Sequence, residues 1–340
     1  MTLPLPANRD ARVDGLRGLA ALLILGHHLF APLDWNASPM LARLAVIASW
    51  LWLGVPIFFV LSGRCIGEAW LRCGSVFRFT IRRLRRIYPP YFASLLVCLG
   101  AVAIRRLVVG VNDVTALPSG ASAIVATLAL ATAPATAVPT INWVYWSLTY
   151  EVAFYAVLAA LLLLPWLRFR LAAWLALHIS LCALGLAGFA RPGSPGFFLD
   201  HWPLFGLGLG VALLSNHPRW AAASLGVSAL HFAALAIHGS SDFTHIVGLS
   251  TAAALLLPSP AWKPRAAGLL TRVGVLSYSL YLIHVPIGVH LLLRPAAALL
   301  GHGFAGSSAA LAFAAFGSLA FARIFHRVAE RPWMSPVSGS

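Results

Sequence analysis

The chain has 340 residues, of which 60% are hydrophobic and only 10% are charged. Soluble domains carry about 25% charged residues, so this composition excludes an ordinary soluble protein and indicates an integral membrane protein. The 24 Lys and Arg residues outnumber the 9 Asp and Glu residues, which gives a formal net charge of +15. We attribute this excess to basic residues retained in cytoplasmic loops rather than to a nucleic-acid surface, and expect no nucleic-acid partner.

Apolar runs extend along the whole chain. In chain order they cover residues 16–33, 44–66, 91–104, 124–133, 145–166, 171–190, 197–214, 221–237, 245–257, 273–293 and 304–324. A perpendicular membrane helix needs about 20 residues, so we expect the short run 124–133 to lie in the interface or to re-enter. The other ten runs then predict ten spanning helices with both termini on the cytoplasmic side, as the positive-inside rule favours.

The predicted fold class is therefore all-α, a polytopic helical bundle in a bacterial cytoplasmic (inner) membrane. Residues 1–333 are expected to form one transmembrane domain, and residues 334–340 a short tail. The densest basic cluster lies at residues 78–86, which this topology places on the cytoplasmic side.

The first apolar run carries ionisable side chains that a membrane helix normally excludes. Asp14 and Arg17 open it, and His27 and His28 lie near its end. The eleven-residue step from Arg17 to His28 is about three helical turns, so both residues share one face, about 16 Å apart. Such groups normally face a protein interior or an aqueous cavity.

The third run is preceded by four arginines, Arg82, Arg83, Arg85 and Arg86, which stand just before Tyr88 and two prolines. Arginines three residues apart share a helix face, which pairs Arg82 with Arg85 and Arg83 with Arg86. Guanidinium groups suit phosphate oxygens, but anchoring at lipid headgroups explains such a cluster equally well. Charge alone leaves both interpretations open.

Glu151 is the only acidic residue between Asp113 and Asp200, and it lies inside an apolar run. An acidic side chain at the centre of a membrane helix costs about 2.5–3.5 kcal/mol, so we expect it to have a partner. A salt bridge to an arginine and the orientation of a catalytic histidine are both open. His284, set among tyrosines and serines, is interpreted as a structural, hydrogen-bonded residue.

The four cysteines, Cys65, Cys73, Cys98 and Cys182, show no disulfide or metal-ligand spacing. The histidines show no metalloprotease-type spacing either. We therefore expect free thiols and no metal site.

Six stretches follow one another along nearly the whole chain: residues 14–18 with His28, then 54–63, 83–89, 146–155, 277–284 and 330–332. Together they resemble the acyltransferase 3 family of membrane-bound acyltransferases, whose fold of about ten membrane helices agrees with the topology above. The resemblance implies transfer of an acyl group, commonly acetyl from acetyl-CoA, to a carbohydrate or another hydroxyl-bearing acceptor. Acyl-CoA would be a co-substrate, and no cofactor would be bound permanently.

The resemblance also implies roles for particular residues. The family's arginine–ten residues–histidine motif falls on Arg17 and His28, and its arginine–two residues–arginine motif falls best on Arg83 and Arg86. His28 is the expected base, with the neighbouring His27 as the alternative, and Glu151 is expected to orient its imidazole. The expected acyl-CoA-binding residues are Arg17, Arg82, Arg83, Arg85, Arg86 and Tyr88. Structural or acceptor-side roles are expected for Asp14, Trp146, Ser147, Tyr150, His284 and Glu330.

The sequence departs from the family pattern at two places. Arg64 follows Gly63 where an apolar residue is usual, and Val152-Ala153 replace a more common acidic and amide pair. Arg64 is expected to make a new contact or to pair with Glu68 one helical turn later. A transporter or flippase is the competing hypothesis, because its buried His, Arg and Glu residues would look alike in sequence.

Overall fold

The computed structural model describes residues 10–110, 114–115, 117–239, 243–257 and 264–334, without the side chains of residues 264–267. Most of the predicted tail, residues 335–340, lies outside these ranges. The helices are α1 (Ala11–Phe30), α2 (Pro39–Ser49), α3 (Gly54–Arg72), α4 (Val76–Val109), α5 (Ala121–Leu128), α6 (Trp146–Leu161), α7 (Leu167–Leu186), α8 (Trp202–Leu213), α9 (Pro218–Ile237), α10 (Phe243–Leu256), α11 (Pro264–Ile283), α12 (Arg294–Leu300) and α13 (Phe304–Phe325).

The predicted fold class is confirmed, since the described ranges are helical without a strand. In the part of the chain that the structure describes, eight helical segments are long and apolar enough to cross a membrane, and two shorter apolar helices, α8 and α10, accompany them. α5 has only 8 residues and extends about 12 Å, so it cannot cross the hydrocarbon core. This agrees with the expectation that run 124–133 does not span.

α4 is much longer than the predicted run 91–104. It is one helix of 34 residues that begins after the Ser75 cap and continues through Pro89 and Pro90. At about 1.5 Å per residue it extends about 51 Å, beyond the ~30 Å hydrocarbon core. The arginine cluster therefore lies on the first turns of the same helix, at what we call the arginine end of the bundle.

α8 is shorter than the predicted run 197–214 and is enclosed by its neighbours. Eleven of its 12 residues are buried. Its backbone meets that of α3 so closely that a Cβ on Gly208 would lie 2.0 Å from the Val60 carbonyl oxygen, and one on Gly63 2.2 Å from that of Phe205. This close approach explains why a helix too short to span alone is held at the bundle centre.

α1 and α11 form the contact that positions the site. A Cβ on Gly274 would lie 1.8 Å from the Asp14 carbonyl oxygen, and one on Gly18 would lie 1.9 Å from that of Leu270. The predicted site residue Asp14 is thus buried at this helix crossing. Because the two helices run side by side from here, the last turn of α1 reaches the level where α11 ends.

Arg64, the first departure from the family pattern, anchors the start of α1. Its guanidinium lies 3.1 Å from the Glu68 carboxylate, the expected helical pair, and 2.8 Å from the Asp10 carboxylate. Burial raises the pKa of Asp10, but hydrogen bonds from Arg12 and Arg64 outweigh that effect and lower it to about 2. Asp10 is therefore a carboxylate at neutral pH and ties α1 to α3.

Candidate active site

The helix that carries His284 changes its hydrogen-bonding pattern at that residue. α11 gives way to a π-helix over His284–Leu293. Pro286 has no N–H, so the Leu282 carbonyl four residues earlier loses its helical donor. The buried Asn142 side-chain amide donates to this carbonyl instead, at 3.1 Å. Such π-helical segments are frequent at functional sites.

His28 and His284 form a hydrogen-bonded pair. His28 Nδ1 lies 2.8 Å from His284 Nε2, and the two rings stack with centroids 5.0 Å apart. On its other side, His284 Nδ1 lies 3.0 Å from the Leu280 carbonyl oxygen and 2.9 Å from that of Tyr281. Carbonyl oxygens only accept hydrogen bonds, so we assign the proton of neutral His284 to Nδ1. His284 Nε2 then accepts from His28 Nδ1, which leaves the lone pair of His28 on its Nε2.

His27 is engaged elsewhere. Its Nδ1 lies 3.1 Å from the Ala48 carbonyl oxygen, at the end of α2, while its ring meets that of His28 edge-on at 5.2 Å. Since Nδ1 faces a carbonyl, it acts as a donor that joins α1 to α2. Of the two neighbouring histidines, His28 is the one that points to the α11 partner.

Trp143 completes the surroundings of the pair and was not expected from the sequence. Its ring centroid lies 5.3 Å from that of His28, and the side chain is 51% exposed. It begins a short 3-10 turn, Trp143–Tyr145, whose cap is Asn142. In the sequence, Trp143 could be singled out only by its position three residues before Trp146, and that position does not indicate a contact with α1.

A first cavity lies between α1, α3, α4, α6 and α11. It brings together Arg17, Arg86 and Glu151, which come from three different helices. Its lining consists of Arg17, Ile24, Val55, Phe58, Phe59, Ser62, Arg86, Ile87, Ser147, Leu148, Glu151, Ser277, Tyr278 and Tyr281. Two guanidinium groups and one carboxylate make the cavity positively charged overall.

The structure separates the two possible arginine pairs. Arg86 lines the first cavity, and the Arg83 guanidinium lies 5.8 Å from the ring centroid of Tyr155 on α6. Arg82 is exposed, and Arg85 stacks at 5.9 Å on Trp333. The inward face of α4 thus carries the pair that the resemblance favoured.

Glu151 occupies the cavity but does not contact the histidine pair. The Tyr155 hydroxyl donates to Glu151 Oε1 at 2.5 Å, and Glu151 shares the lining of the first cavity with Arg86. The hydrogen bond that we expected Glu151 to make with the His28 imidazole is instead made by His284. Glu151 lies with Arg86 in the first cavity, whereas His28 lies against the end of α11, so the two side chains are at different places in the bundle.

A second cavity lies beside the segments that follow His28 and His284 in the chain. It is lined by Pro32, Cys98, Val114, Thr115, Thr140, Ile141, Asn142, Trp143, Val285, Pro286, Val289, His290 and Arg294. Among the residues described, the two cavities share no lining residue.

Four side chains in contact connect the two cavities. Tyr281 lines the first cavity, and its hydroxyl contacts the Val144 carbonyl and, at 2.9 Å, the predicted site residue Ser147. The Tyr281 ring lies 6.3 Å from that of His284, which pairs with His28, which in turn packs on Trp143 of the second cavity. The pair thus stands between the two spaces.

Trp146, Tyr150 and Tyr88, three further residues predicted for the site, lie outside the first cavity's lining. The Trp146 and Tyr150 rings pack edge-on at 5.6 Å, and the Tyr150 hydroxyl donates to Asp200 at 3.3 Å. The Tyr88 hydroxyl donates to the Ala129 carbonyl at 3.0 Å, which attaches the segment after α5 to α4. These contacts give all three residues a structural use in the fold.

Glu330 is buried and does not line the first cavity. It accepts hydrogen bonds from the Ser279 hydroxyl at 2.5 Å and from His326 Nδ1 at 2.9 Å. These contacts join α11 to the end of the last helix. A residue that looked like an ordinary helix terminus in sequence thus holds together two helices of the site.

The structure is thus a helical membrane bundle in which a hydrogen-bonded histidine pair lies near two cavities, the first of them lined by two arginines. The family model of acyltransferase 3, described as an acyltransferase domain, matches residues 10–327. The chain therefore belongs to this family and is a membrane acyltransferase, which confirms the resemblance and sets aside the transporter hypothesis.

A relative supports the same conclusion. The protein provisionally named membrane-bound transacylase BcsY, from Komagataeibacter xylinus, is 28% identical to this chain over 317 residues. The match covers 83% of this chain and 73% of the relative. No solved structure gives a significant match.

Proposed function

We propose that this acyltransferase moves an acyl group, acetyl in the simplest case, from acyl-CoA to a hydroxyl of a carbohydrate or glycosylated acceptor. The observation that carries the proposal is the His28–His284 pair, in which the lone pair of His28 is assigned to Nε2 and which lies between Tyr281 of the first cavity and Trp143 of the second. A base held in one tautomer is what deprotonation of a hydroxyl requires.

The first cavity suits the donor. Arg17 and Arg86 supply guanidinium groups for phosphate oxygens, and Arg83 adds a third positive charge one turn closer to the arginine end. Glu151 lines the same cavity and does not neutralise both of its guanidinium groups. The excess of basic residues at this end supports a cytoplasmic orientation in a bacterial inner membrane, where acyl-CoA is available.

In the proposed reaction, His28 Nε2 removes the proton of the acceptor hydroxyl while the hydroxyl oxygen attacks the thioester carbonyl carbon. The C–O bond forms, the C–S bond breaks, and the CoA thiolate takes the proton back from His28. His284 remains neutral and holds the tautomer. The thioester would arrive near Tyr281 and Ser147, which line the first cavity and whose hydroxyls lie 2.9 Å apart.

Inverted membrane vesicles test the two-sided arrangement. Radiolabelled acetyl-CoA added to the face that carries the arginine end should label a glycan acceptor and release one CoA thiol per acetyl transferred. Addition to the opposite face should give no product, because acetyl-CoA does not cross the membrane. Equal labelling from both faces would refute the assignment of the first cavity to the donor. Purified protein that releases no CoA with any glycan would refute the proposed function itself.

A further inference from the structure

We infer that the second cavity is the acceptor site and that Trp143 is the platform on which a sugar ring of the acceptor stacks. The inference rests on the proposed function and gives it a second substrate site. It starts from an indole that is half exposed while lying against the proposed base. The other exposed tryptophans in the described ranges have different partners: Trp50 packs on Phe243, Trp166 on Phe169 and Trp333 on Arg85.

The indole is held in a defined orientation. Asn142, which precedes it, donates to the Leu282 carbonyl and accepts from the Val144 N–H at 3.4 Å, so the backbone at residue 143 is fixed to the end of α11. The Trp143 ring is tilted 32° from that of His28, with centroids 5.3 Å apart. The indole therefore joins the second cavity, which it lines, to the ring of His28.

The lining of the second cavity matches a polyhydroxylated ligand. Thr115, Thr140, Asn142, His290 and Arg294 provide hydroxyl, amide, imidazole and guanidinium groups around a partly apolar wall. A sugar ring has the same two-sided character, with C–H groups on its faces and hydroxyls at its edge. The combination of one aromatic face and several convergent polar groups is typical of small-ligand sites.

The π-helix contributes to this site directly. Val285, Pro286, Val289 and His290 all come from the segment His284–Leu293 and line the cavity. The same segment begins with the partner of the base. A ligand in the second cavity would therefore contact the helix that fixes the His28 tautomer.

Photo-crosslinking tests the location without turnover. A methyl glucoside that carries a diazirine group should label residues 140–143 or 285–290 of the detergent-solubilised protein, and an excess of methyl glucoside should suppress the labelling. Labelling of first-cavity residues such as Phe58 or Ser62, or labelling that methyl glucoside does not suppress, would overturn the inference. A probe that labels the second cavity while no glycan supports CoA release would leave the site in place and refute the proposed transfer.

Kinetics with a matched pair of variants test the role of the indole. Trp143→Ala should raise the KM for the glycan acceptor about tenfold and change the KM for acetyl-CoA less than about twofold. Trp143→Phe should restore most of the acceptor affinity, because a flat ring remains. The control is Trp50→Ala, since Trp50 is 45% exposed but packs on Phe243 rather than on His28.

An alternative role for Trp143 is that of an aromatic anchor at the membrane–water interface. In that case Trp143→Ala and Trp50→Ala would lower the thermal stability to a similar extent and leave the acceptor KM unchanged. That outcome would overturn the inference. A ring-free polyol such as sorbitol provides a second readout: the wild type should prefer methyl glucoside to sorbitol, and Trp143→Ala should reduce that preference.

Discussion

The histidine pair and the charged cluster near the arginine end (Arg83, Arg86, Glu151 and Glu330) are both polar regions inside the bundle, but their hydrogen-bond partners differ in kind. Near the arginine end each carboxylate has its own donor: Tyr155 for Glu151, and Ser279 with His326 for Glu330. The ring of His284 is held by backbone carbonyls and by His28, and in the described ranges neither ring is hydrogen-bonded to a carboxylate. The charged cluster thus joins helices and, in the proposed function, binds the donor, whereas the histidine pair has its lone pair assigned to His28 Nε2.

The largest effect should come from removal of that lone pair. His28→Ala should lower acyl transfer by about 10²–10⁴-fold, the usual contribution of a general base. His27→Ala is the control, because His27 donates to α2 and should keep most of the activity. Acceptor-dependent release of CoA thiol measures both variants. A loss of activity in His27→Ala that equals the loss in His28→Ala would contradict the assignment of the base.

The next effect should come from the residue that holds the tautomer. His284→Ala should lower kcat about 10-fold to 100-fold with little change in either KM, because His28 can then carry its proton on either nitrogen. His284→Gln keeps an acceptor oxygen and should recover part of kcat. The pH dependence of kcat should change in His284→Ala, which a purely structural role would not require. Glu151→Gln should leave that pH dependence as in the wild type.

The donor side should respond through KM rather than kcat. Arg86→Ala should raise the KM for acetyl-CoA about tenfold, since a hydrogen bond to a charged group contributes about 1.5–3 kcal/mol. The matched control is Arg82→Ala on the outward face of the same helix, where the side chain is exposed. If Arg82→Ala raises this KM as much as Arg86→Ala does, the inward face is not the phosphate-binding face.

The smallest effect should come from the anchor of α1. Asp10→Asn should lower the melting temperature by a few degrees at neutral pH, because Arg64 loses a charged partner. The folded-state pKa of Asp10 is about 2, below the ordinary value of 3.8, so its contribution is complete above pH 4 and disappears as the pH falls through 2. Melting curves of both proteins from pH 7 downwards should therefore converge at low pH. A difference that grows with acidification would contradict this sign.

Several features of the protein follow from sequence alone because they depend on local periodicity and composition. The apolar runs indicate a helical membrane bundle, and the eleven-residue step from Arg17 to His28 places both on one face of α1. The family resemblance, rather than periodicity, favoured the pair Arg83 and Arg86, from its position before the Ile-Tyr-Pro stretch. In each case the property belongs to one helix, which its own residues determine.

Contacts between distant helices were decided by the tertiary structure. His28 and His284 are 256 residues apart, and they meet only because glycines let α1 and α11 approach so closely. The π-helix begins where Pro286 removes a donor and a distant amide, Asn142, replaces it. Glu151 was expected beside the base, yet it faces arginines, since the depth of an acidic group in one helix does not reveal which neighbour it contacts. Periodicity tells which face a side chain occupies, and only the packing of the other helices decides what lies opposite.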